Sequence, residues 1–267
     1  MNRWTTGVYA VNGINIHCLR TGDDKPPVIL LHGLMTSGAC WAPVARMLEA
    51  DYDVIMPDAR GHGNSSVPTQ GYSYDRLASD VLGLIESLGL VKPVLIGHSM
   101  GGMTAAVVGS KNSEKLGGIV LADPTFLTPE VQRQVYQSDV VVQHRLVLNR
   151  SRKDFLAEKI SRSKRSRELI ELLVEARFQT SIHAFEILKP PNLDYQHLIR
   201  SLAVSSLLVI GDSGSVVTQK VAAELADLNE SLNIVQIRDA GHGIPFDQPK
   251  RFGEVAKKFL NSLATSI

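Results

Sequence analysis

The sequence has few cysteines, few aromatic residues and almost no net charge. Its 267 residues include 2 cysteines and 6% aromatic residues, and the formal net charge is +1. A charge this close to zero gives no electrostatic reason to expect a nucleic-acid partner, because nucleic-acid-binding proteins usually concentrate basic residues on one surface. Cys18 and Cys40 have no histidine or cysteine at the spacing of a metal site, so we expect reduced packing residues and no metal.

Long apolar stretches are also missing. No segment approaches the unbroken apolar length of a membrane span, and the first residues lack the apolar core of a secretion signal. The sequence therefore predicts a cytoplasmic protein without a membrane partner. Hydrophobic residues make up 44% of the chain and charged residues 21%, which is typical of a globular protein with a sizeable core.

The most informative stretch is residues 94–102, in which a short apolar run leads into a G-x-S-x-G motif at Gly97, Ser99 and Gly101. A helical pattern follows it. In a strand–turn–helix of this kind the turn is so tight that glycine is needed two positions before and after the serine. The hydroxyl is then presented at the top of a sheet, near the positive end of a helix. The pattern predicts that Ser99 is a nucleophile.

Short apolar runs alternate with helical patterns along most of the chain. Runs at 28–31, 52–56, 93–96, 118–122, 206–211 and 233–237 are typical of strands covered on both faces. This alternation favours a parallel sheet with ligands bound at the carboxyl ends of its strands, and His32, Ser99 and Asp123 all follow such runs. Asn12-Gly13, between two further apolar runs, predicts an antiparallel hairpin at the edge.

From about residue 127 to 202 the pattern becomes helical and charged. The basic run at 161–167 is followed by glutamates at helical spacing, so we interpret it as a solvated helix face rather than an anion site. We predict a core domain of residues 1–125 and 203–267 and a helical cap of residues 126–202. Some apolar side chains of the cap could line a cavity, although helical spacing favours the cap's own core: Phe155, Phe178, Ile182, Phe185 and Leu188.

Four motifs in order resemble the α/β-hydrolase fold superfamily, and the resemblance extends over nearly the whole chain. They are His32-Gly33, the loop at 58–65, the turn at 97–102 and the segment at 239–243. The resemblance implies a mostly parallel, twisted eight-stranded sheet flanked by helices, with a helical cap insertion. It also implies a serine hydrolase that uses no cofactor.

The resemblance assigns further site residues. The catalytic histidine of the superfamily lies between the last strand and the last helix, which corresponds to His242. The two oxyanion donors correspond to the backbone amides of Met100, after the nucleophile, and Leu34, after His32-Gly33. Gly33, Leu34 and Met100 are therefore expected to contact the substrate. The other histidines are interpreted as supporting residues or as ordinary loop and core residues: His32 and His98 in the first group, and His17, His62, His144, His183 and His197 in the second.

The triad acid departs from the commonest pattern. Relatives usually carry it three residues after the glycine that ends the seventh strand, but Gly214 stands there after Gly211. Asp123, at the end of the strand next to the nucleophile turn, is our preferred acid; the zearalenone lactonases are similar in carrying a glutamate there. Asp212 is the alternative, although its displacement leaves its direction uncertain. A histidine oriented only by a carbonyl or water is the third possibility.

The expected reaction is hydrolysis of a carboxylic ester or lactone of a small to medium, largely apolar substrate through an acyl-enzyme. Hydrolysis of a C–C bond in a diketone, or of a thioester, would use the same residues. A ligand receptor with slow turnover is a further alternative, since fold alone does not establish catalysis. Epoxide hydrolases and dehalogenases are disfavoured because they carry an aspartate where this chain has Ser99. We expect a small-molecule substrate and a monomer or homodimer.

Overall fold

The computed structural model describes residues 4–22 and 24–264. Within these ranges eight strands form one sheet in the order β1-β2-β4-β3-β5-β6-β7-β8. β2 pairs antiparallel with β1 and β4, and all other neighbours pair in parallel. The predicted fold class is therefore confirmed. The strands are β1 (Thr5–Val11), β2 (Ile14–Arg20), β3 (Pro27–Leu31), β4 (Asp53–Pro57), β5 (Val94–His98), β6 (Gly118–Ala122), β7 (Ser206–Gly211) and β8 (Leu232–Ile237).

The β1–β2 hairpin closes through the predicted Asn-Gly turn. Asn12 has φ 50° and Gly13 has φ 79°. Two consecutive positive φ angles give the turn whose twist matches that of the flanking strands, and asparagine and glycine tolerate them best.

Helices cover both faces of the sheet. Ile29 and Leu31 of β3 belong to the same buried cluster as residues of α2 and α3, whereas Val28 and Leu30 pack with α1 and α11 on the opposite face. This alternation follows from the two-residue period of a strand and explains why its central strands are continuously apolar. The helices are α1 (Ala42–Leu48), α2 (Tyr74–Ser87), α3 (Met100–Asn112), α4 (Pro129–Gln137), α5 (Val140–Leu148), α6 (Arg152–Arg162), α7 (Arg167–Phe178), α8 (Tyr195–Arg200), α9 (Gln219–Leu228), α10 (Ile244–Asp247) and α11 (Pro249–Ala264).

Helices α4 to α8 lie in the chain between β6 and β7. The basic run in this region is not one continuous helix face, because residues 163–166 separate α6 from α7. Arg167 pairs with Glu171 at the exposed surface, as expected for a solvated face. Arg165 differs, because it reaches back to Asp247 in α10 with an Nη2–Oδ1 distance of 2.7 Å. The boundaries of a separate cap stay a prediction.

Two buried histidines lie near the carboxyl ends of the strands: His62 in the loop after β4 and His98 at the last position of β5. Burial lowers the pKa of His62 to about 3, helped by the neighbouring His32 ring. Burial also lowers the pKa of His98 to about 3, with a smaller effect from His242. His62 donates from Nδ1 to the Arg60 carbonyl at 3.0 Å and accepts at Nε2 from the Met35 amide at 3.4 Å. Both histidines are therefore neutral in the folded protein at neutral pH.

These buried histidines make the fold acid-sensitive. Their folded pKa values lie below the unfolded value of about 6.5, so the unfolded chain binds more protons once the pH falls below that value. Stability is complete above about pH 6.5 and is lost progressively towards pH 3, and we expect each histidine to remove on the order of 1 to 2 kcal/mol at about pH 5. Urea unfolding of the wild type and His62→Gln at neutral pH and at about pH 5 measures this loss.

The His62→Gln variant should show a smaller drop in unfolding free energy than the wild type between the two pH values. His197→Gln is the matched control, because His197 is exposed. An equal drop in His62→Gln and wild type would contradict the assignment.

Candidate active site

Ser99 lies in a strained turn between β5 and α3. Its φ and ψ are 54° and −115°, in a region that side-chain-bearing residues rarely occupy. A Cβ atom on Gly97 would overlap the carbonyl oxygen of Gly101, and one on Gly101 would overlap that of Leu31. The Ser99 amide also donates to the Ala122 carbonyl of β6 at 3.1 Å. Close backbone approach therefore explains both glycines of the motif.

The His242 ring lies between Ser99 and Asp123. Its Nε2 is 3.0 Å from Ser99 Oγ, and its Nδ1 is 2.6 Å from Asp123 Oδ2. Because a carboxylate only accepts, Nδ1 carries the proton and Nε2 accepts from the serine hydroxyl. The His242 side chain is 40% exposed, whereas that of Asp123 is 0% exposed. The three groups form a continuous line of hydrogen bonds from a buried charge to an accessible hydroxyl.

Asp123 follows the last residue of β6 and has a φ of 41°. Its Oδ2 accepts the Val216 amide at 2.9 Å, and its Oδ1 accepts the Val217 amide at 2.8 Å. Its own amide donates to the Val209 carbonyl of β7 at 2.9 Å. Burial removes the Asp123 carboxylate from water. Hydrogen bonds from two backbone amides and the His242 ring stabilise its charge instead.

Asp212, the alternative acid, is exposed and faces a different group. Its Oδ2 accepts the Asp239 amide at 3.0 Å, and its Oδ1 accepts the Ala240 amide at 3.2 Å. Both hydrogen bonds lower the pKa of Asp212, and the one from the Asp239 amide has the larger effect. Asp212 therefore holds the turn before His242, and the structure does not bring it to the His242 ring.

The two histidines expected to support the site hold its main chain. His98 Nε2 donates to the His242 carbonyl at 2.8 Å. His32 Nδ1 donates to the Gly33 carbonyl at 2.8 Å, and its Nε2 accepts the Ala59 amide at 2.9 Å. One histidine thus fixes the loop that carries His242, and the other fixes the loop after β3.

The amides of Leu34 and Met100 have no acceptor in the described ranges of the chain, 4–22 and 24–264. Both residues line the cleft that contains Ser99. Met35, which follows Leu34, has a φ of 66°, and its amide donates to His62. From the sequence, His62 was expected to be an ordinary loop residue. Its contact with Met35 could not be predicted, because it depends on how two separate loops pack together.

The cleft at Ser99 has a volume of about 560 Å³. Residues from the strand ends and from the helices between β6 and β7 both contribute to it. Leu188 is one of them, whereas Phe155 and Phe178 pack against each other with ring centroids 5.8 Å apart. Residues that line the cleft include Gly33, Leu34, Met35, Tyr74, Ser99, Met100, Val135, Val140, Arg165, Leu173, Ile187, Leu188, His242 and Phe246.

Cys18 and Cys40 are free and buried, as the sequence predicts. Burial raises the pKa of the Cys18 thiol to about 12 and that of Cys40 to about 11, so neither is a thiolate at neutral pH. In the part of the chain that the structure describes, no three histidine, cysteine, aspartate or glutamate side chains converge as a metal site would require. None of the described helices has the length and apolar character needed to cross a membrane.

Known proteins resemble this chain over nearly its whole length. The N-formylmaleamate deformylase of Pseudomonas putida is 28% identical over 261 residues, which cover 96% of each chain. The 3-oxoadipate enol-lactonase 1 of Acinetobacter baylyi is 23% identical over 250 residues, covering 90% of this chain and 91% of the relative. Among solved structures, the E-2-(acetamidomethylene)succinate hydrolase superposes with a TM-score of 0.82 at 20% identity, covering 97% of this chain and 100% of that one.

The family assignment comes from a match to a model that describes the family as a whole. The model of the α/β hydrolase fold family matches residues 26–249, which is well over half of the chain. The match includes β3 to β8 and the segments that carry Ser99, Asp123 and His242. The chain therefore belongs to the α/β hydrolase fold family.

Proposed function

We propose that this protein is a serine hydrolase that cleaves a carboxylic ester or a lactone through an acyl-enzyme on Ser99. The observation that carries the proposal is the line of hydrogen bonds from Ser99 Oγ through His242 to Asp123, with distances of 3.0 and 2.6 Å. A serine hydroxyl is a weak nucleophile at neutral pH and needs an adjacent base. Here Ser99 is within hydrogen-bond distance of its base, His242, and His242 is within hydrogen-bond distance of the group that orients it, Asp123.

In the first half of the reaction Ser99 Oγ attacks the substrate carbonyl while His242 Nε2 takes the hydroxyl proton. Asp123 holds the Nδ1 proton in place, so that Nε2 is free to accept, and stabilises the imidazolium that forms. His242 then gives its proton to the leaving oxygen as the acyl–oxygen bond breaks. Water repeats the sequence on the acyl-enzyme, with His242 as its base, and releases the acid.

The carbonyl oxygen becomes an oxyanion in each half of the reaction and needs donors directed at it. We assign this role to the Leu34 and Met100 amides, which line the cleft and donate to no other group in the described chain. The side chains of Leu34 and Met100, with the adjacent Gly33, would contact the acyl group. Removing one such donor typically lowers kcat by about 100 to 1,000-fold.

We assign the covering of this cleft to the helical segment between β6 and β7, as a cap. The support is that side chains of this segment form part of the cleft wall: Val135, Val140, Leu173, Ile187 and Leu188. An apolar wall excludes water and strengthens every electrostatic interaction around the reacting bond.

A second candidate reaction is hydrolysis of an N-acyl bond. The similarity to an N-formylmaleamate deformylase over 96% of both chains favours it. The similarity to an enol-lactonase favours the lactone. Both reactions are acyl transfers through the same intermediate and differ only in whether His242 protonates a nitrogen or an oxygen. Turnover of paired phenyl esters and anilides with the same acyl group separates them.

The nucleophile is tested by covalent labelling. A fluorophosphonate probe should react stoichiometrically with Ser99 in the folded protein, because His242 activates only this hydroxyl. Ser99→Ala should abolish labelling, and Ser213→Ala, at an exposed serine, should leave it unchanged. Peptide mass mapping identifies the labelled residue; a folded wild type that stays unlabelled would contradict the proposal.

The acid is tested by a pair of asparagine substitutions. Asp123→Asn should lower kcat by about 10³ to 10⁴-fold, because the amide NH2 can donate to Nδ1, which favours the wrong tautomer, and no charge remains to stabilise the imidazolium. Asp212→Asn should lower kcat less than about tenfold, since Asp212 contacts only backbone amides of a turn. Steady-state kinetics on one ester, with circular dichroism to check folding, makes the comparison. A larger loss in Asp212→Asn than in Asp123→Asn would overturn the assignment.

A further inference from the structure

A second cavity of about 460 Å³ adjoins the cleft at Ser99, and we call it the side chamber. The two cavities share Met35, Arg165 and Leu173 as lining residues, so these three side chains lie at the boundary between them. The side chamber lies among helices α5 to α7. Its lining residues are Met35, Gln143, Val147, Phe155, Lys159, Ser163, Arg165, Ile170, Leu173, Val174 and Arg177.

The side chamber is lined by three basic residues and, in the described part of the chain, by no acidic residue. Arg165 is already paired, since its Nε and Nη2 both donate to Asp247 Oδ1, at 3.0 and 2.7 Å. Lys159 Nζ lies 5.0 Å from the centroid of the Phe155 ring, and Lys159 forms no ion pair with any of the described residues. The chamber therefore has a net positive lining.

Arg177 is the unusual member of this set. Its Nε is buried and has no hydrogen-bond partner among the described residues, and its Nη1 contacts the Met35 thioether, a weak acceptor. Burial lowers the pKa of Arg177 with no carboxylate to offset the desolvation. Arg177 as a whole is half-buried, and a guanidinium that is partly removed from water without an anionic partner is unfavourable in a folded protein. The planar guanidinium is well suited to bind a carboxylate with two parallel hydrogen bonds.

We propose that the side chamber binds a free carboxylate of the substrate, with Arg177 as the main ligand and Lys159 adding positive charge. This inference rests on the proposed function and specifies its substrate as an ester or lactone that carries a second, unesterified carboxylate. The reacting carbonyl lies at Ser99, and the carboxylate extends past Met35 and Leu173 into the chamber. Apolar cleft residues such as Leu34 and Ile187 contact the hydrocarbon between the two groups. The substrate is thus apolar in its middle and anionic at one end.

The test compares esters that differ only in this charge. Phenyl hydrogen succinate, glutarate and adipate are each paired with the phenyl ester of the uncharged acid of similar length, and rates are corrected for the enzyme-free reaction. The wild type should prefer the anionic member of at least one pair by about 10 to 100-fold in kcat/KM, the range expected for a charge-assisted hydrogen-bonded pair. Arg177→Met should remove this preference, and Arg177→Lys should keep part of it.

The neutral esters serve as the internal control, because Arg177→Met should lower kcat/KM on the anionic ester about 10-fold or more beyond any change on its neutral partner. Lys164→Met is the matched surface control, since Lys164 is exposed and lines neither cavity. Lys159→Met should lower the preference for the anionic ester to a smaller extent, and it tests the chamber again if Arg177→Met is poorly folded. Equal kcat/KM for both members of every pair, or an equal loss on both in Arg177→Met, would overturn the carboxylate site.

A failure of the proposed hydrolase activity gives a different result from a failure of the carboxylate site. If the wild type turns over neither member of any pair, the proposed reaction is wrong, and calorimetric titration with glutarate then decides on the chamber. Binding to the wild type that is lost in Arg177→Met and kept in Lys164→Met supports the carboxylate site. Equal binding, or no binding, in wild type and Arg177→Met contradicts it.

Discussion

The arrangement of the site depends on one buried carboxylate. Asp123 has no exposed surface, and an isolated charge there would cost several kcal/mol. Two amides, from Val216 and Val217 after β7, and the Nδ1 proton of His242 satisfy it. The carboxylate therefore joins three separate parts of the chain: the end of β6, the loop after β7 and the loop after β8. This single set of contacts fixes the direction in which His242 Nε2 points.

Sheet topology brings these parts together. β5 and β6 are neighbours in register, with His98 opposite Ala122, so the residues that follow them, Ser99 and Asp123, leave the sheet at the same edge. The Ser99 amide is tied to the Ala122 carbonyl and the Asp123 amide to the Val209 carbonyl, which continues the ladder into the loops. Asp123 is thus placed by β6, the strand beside β5 and Ser99, rather than by the loop after β7, where Gly214 has no side chain.

The sequence predicted most of the fold because its strands have a strong local signal. The wholly apolar runs gave β3 to β7 within a residue or two, and the Asn-Gly pair gave the β1–β2 hairpin. Helix α10 was not predicted, because it is only four residues long and too short for a helical period to be recognised; it is held by the packing of Ile244 and Phe246. Ser99 was predicted from the G-x-S-x-G motif, and His242 from the place that the catalytic histidine takes in the superfamily that the sequence resembles.

The remaining features of the site depend on contacts between distant segments. The amides that hold Asp123 carry no side-chain signature, so the sequence could rank Asp123 above Asp212 only by position. No sequence pattern distinguishes Arg177 on α7. The basic run at 161–167 is conspicuous in the sequence, but it consists partly of exposed ion pairs such as Arg167 with Glu171. A missing partner is visible only when the whole neighbourhood of a side chain is known. The positive charge of the side chamber could therefore be found only in the structure and not in the sequence.

The tautomer of His242 shows whether Asp123 orients the ring. Nitrogen-15 NMR of histidine-labelled protein, at a pH at which the ring is neutral, distinguishes a proton on Nδ1 from one on Nε2. If Asp123 orients the ring as described, His242 is protonated on Nδ1, and Asp123→Asn shifts the population towards Nε2. A wild-type ring protonated mainly on Nε2 would rule out this orientation by Asp123, because that nitrogen could not then accept the proton of Ser99.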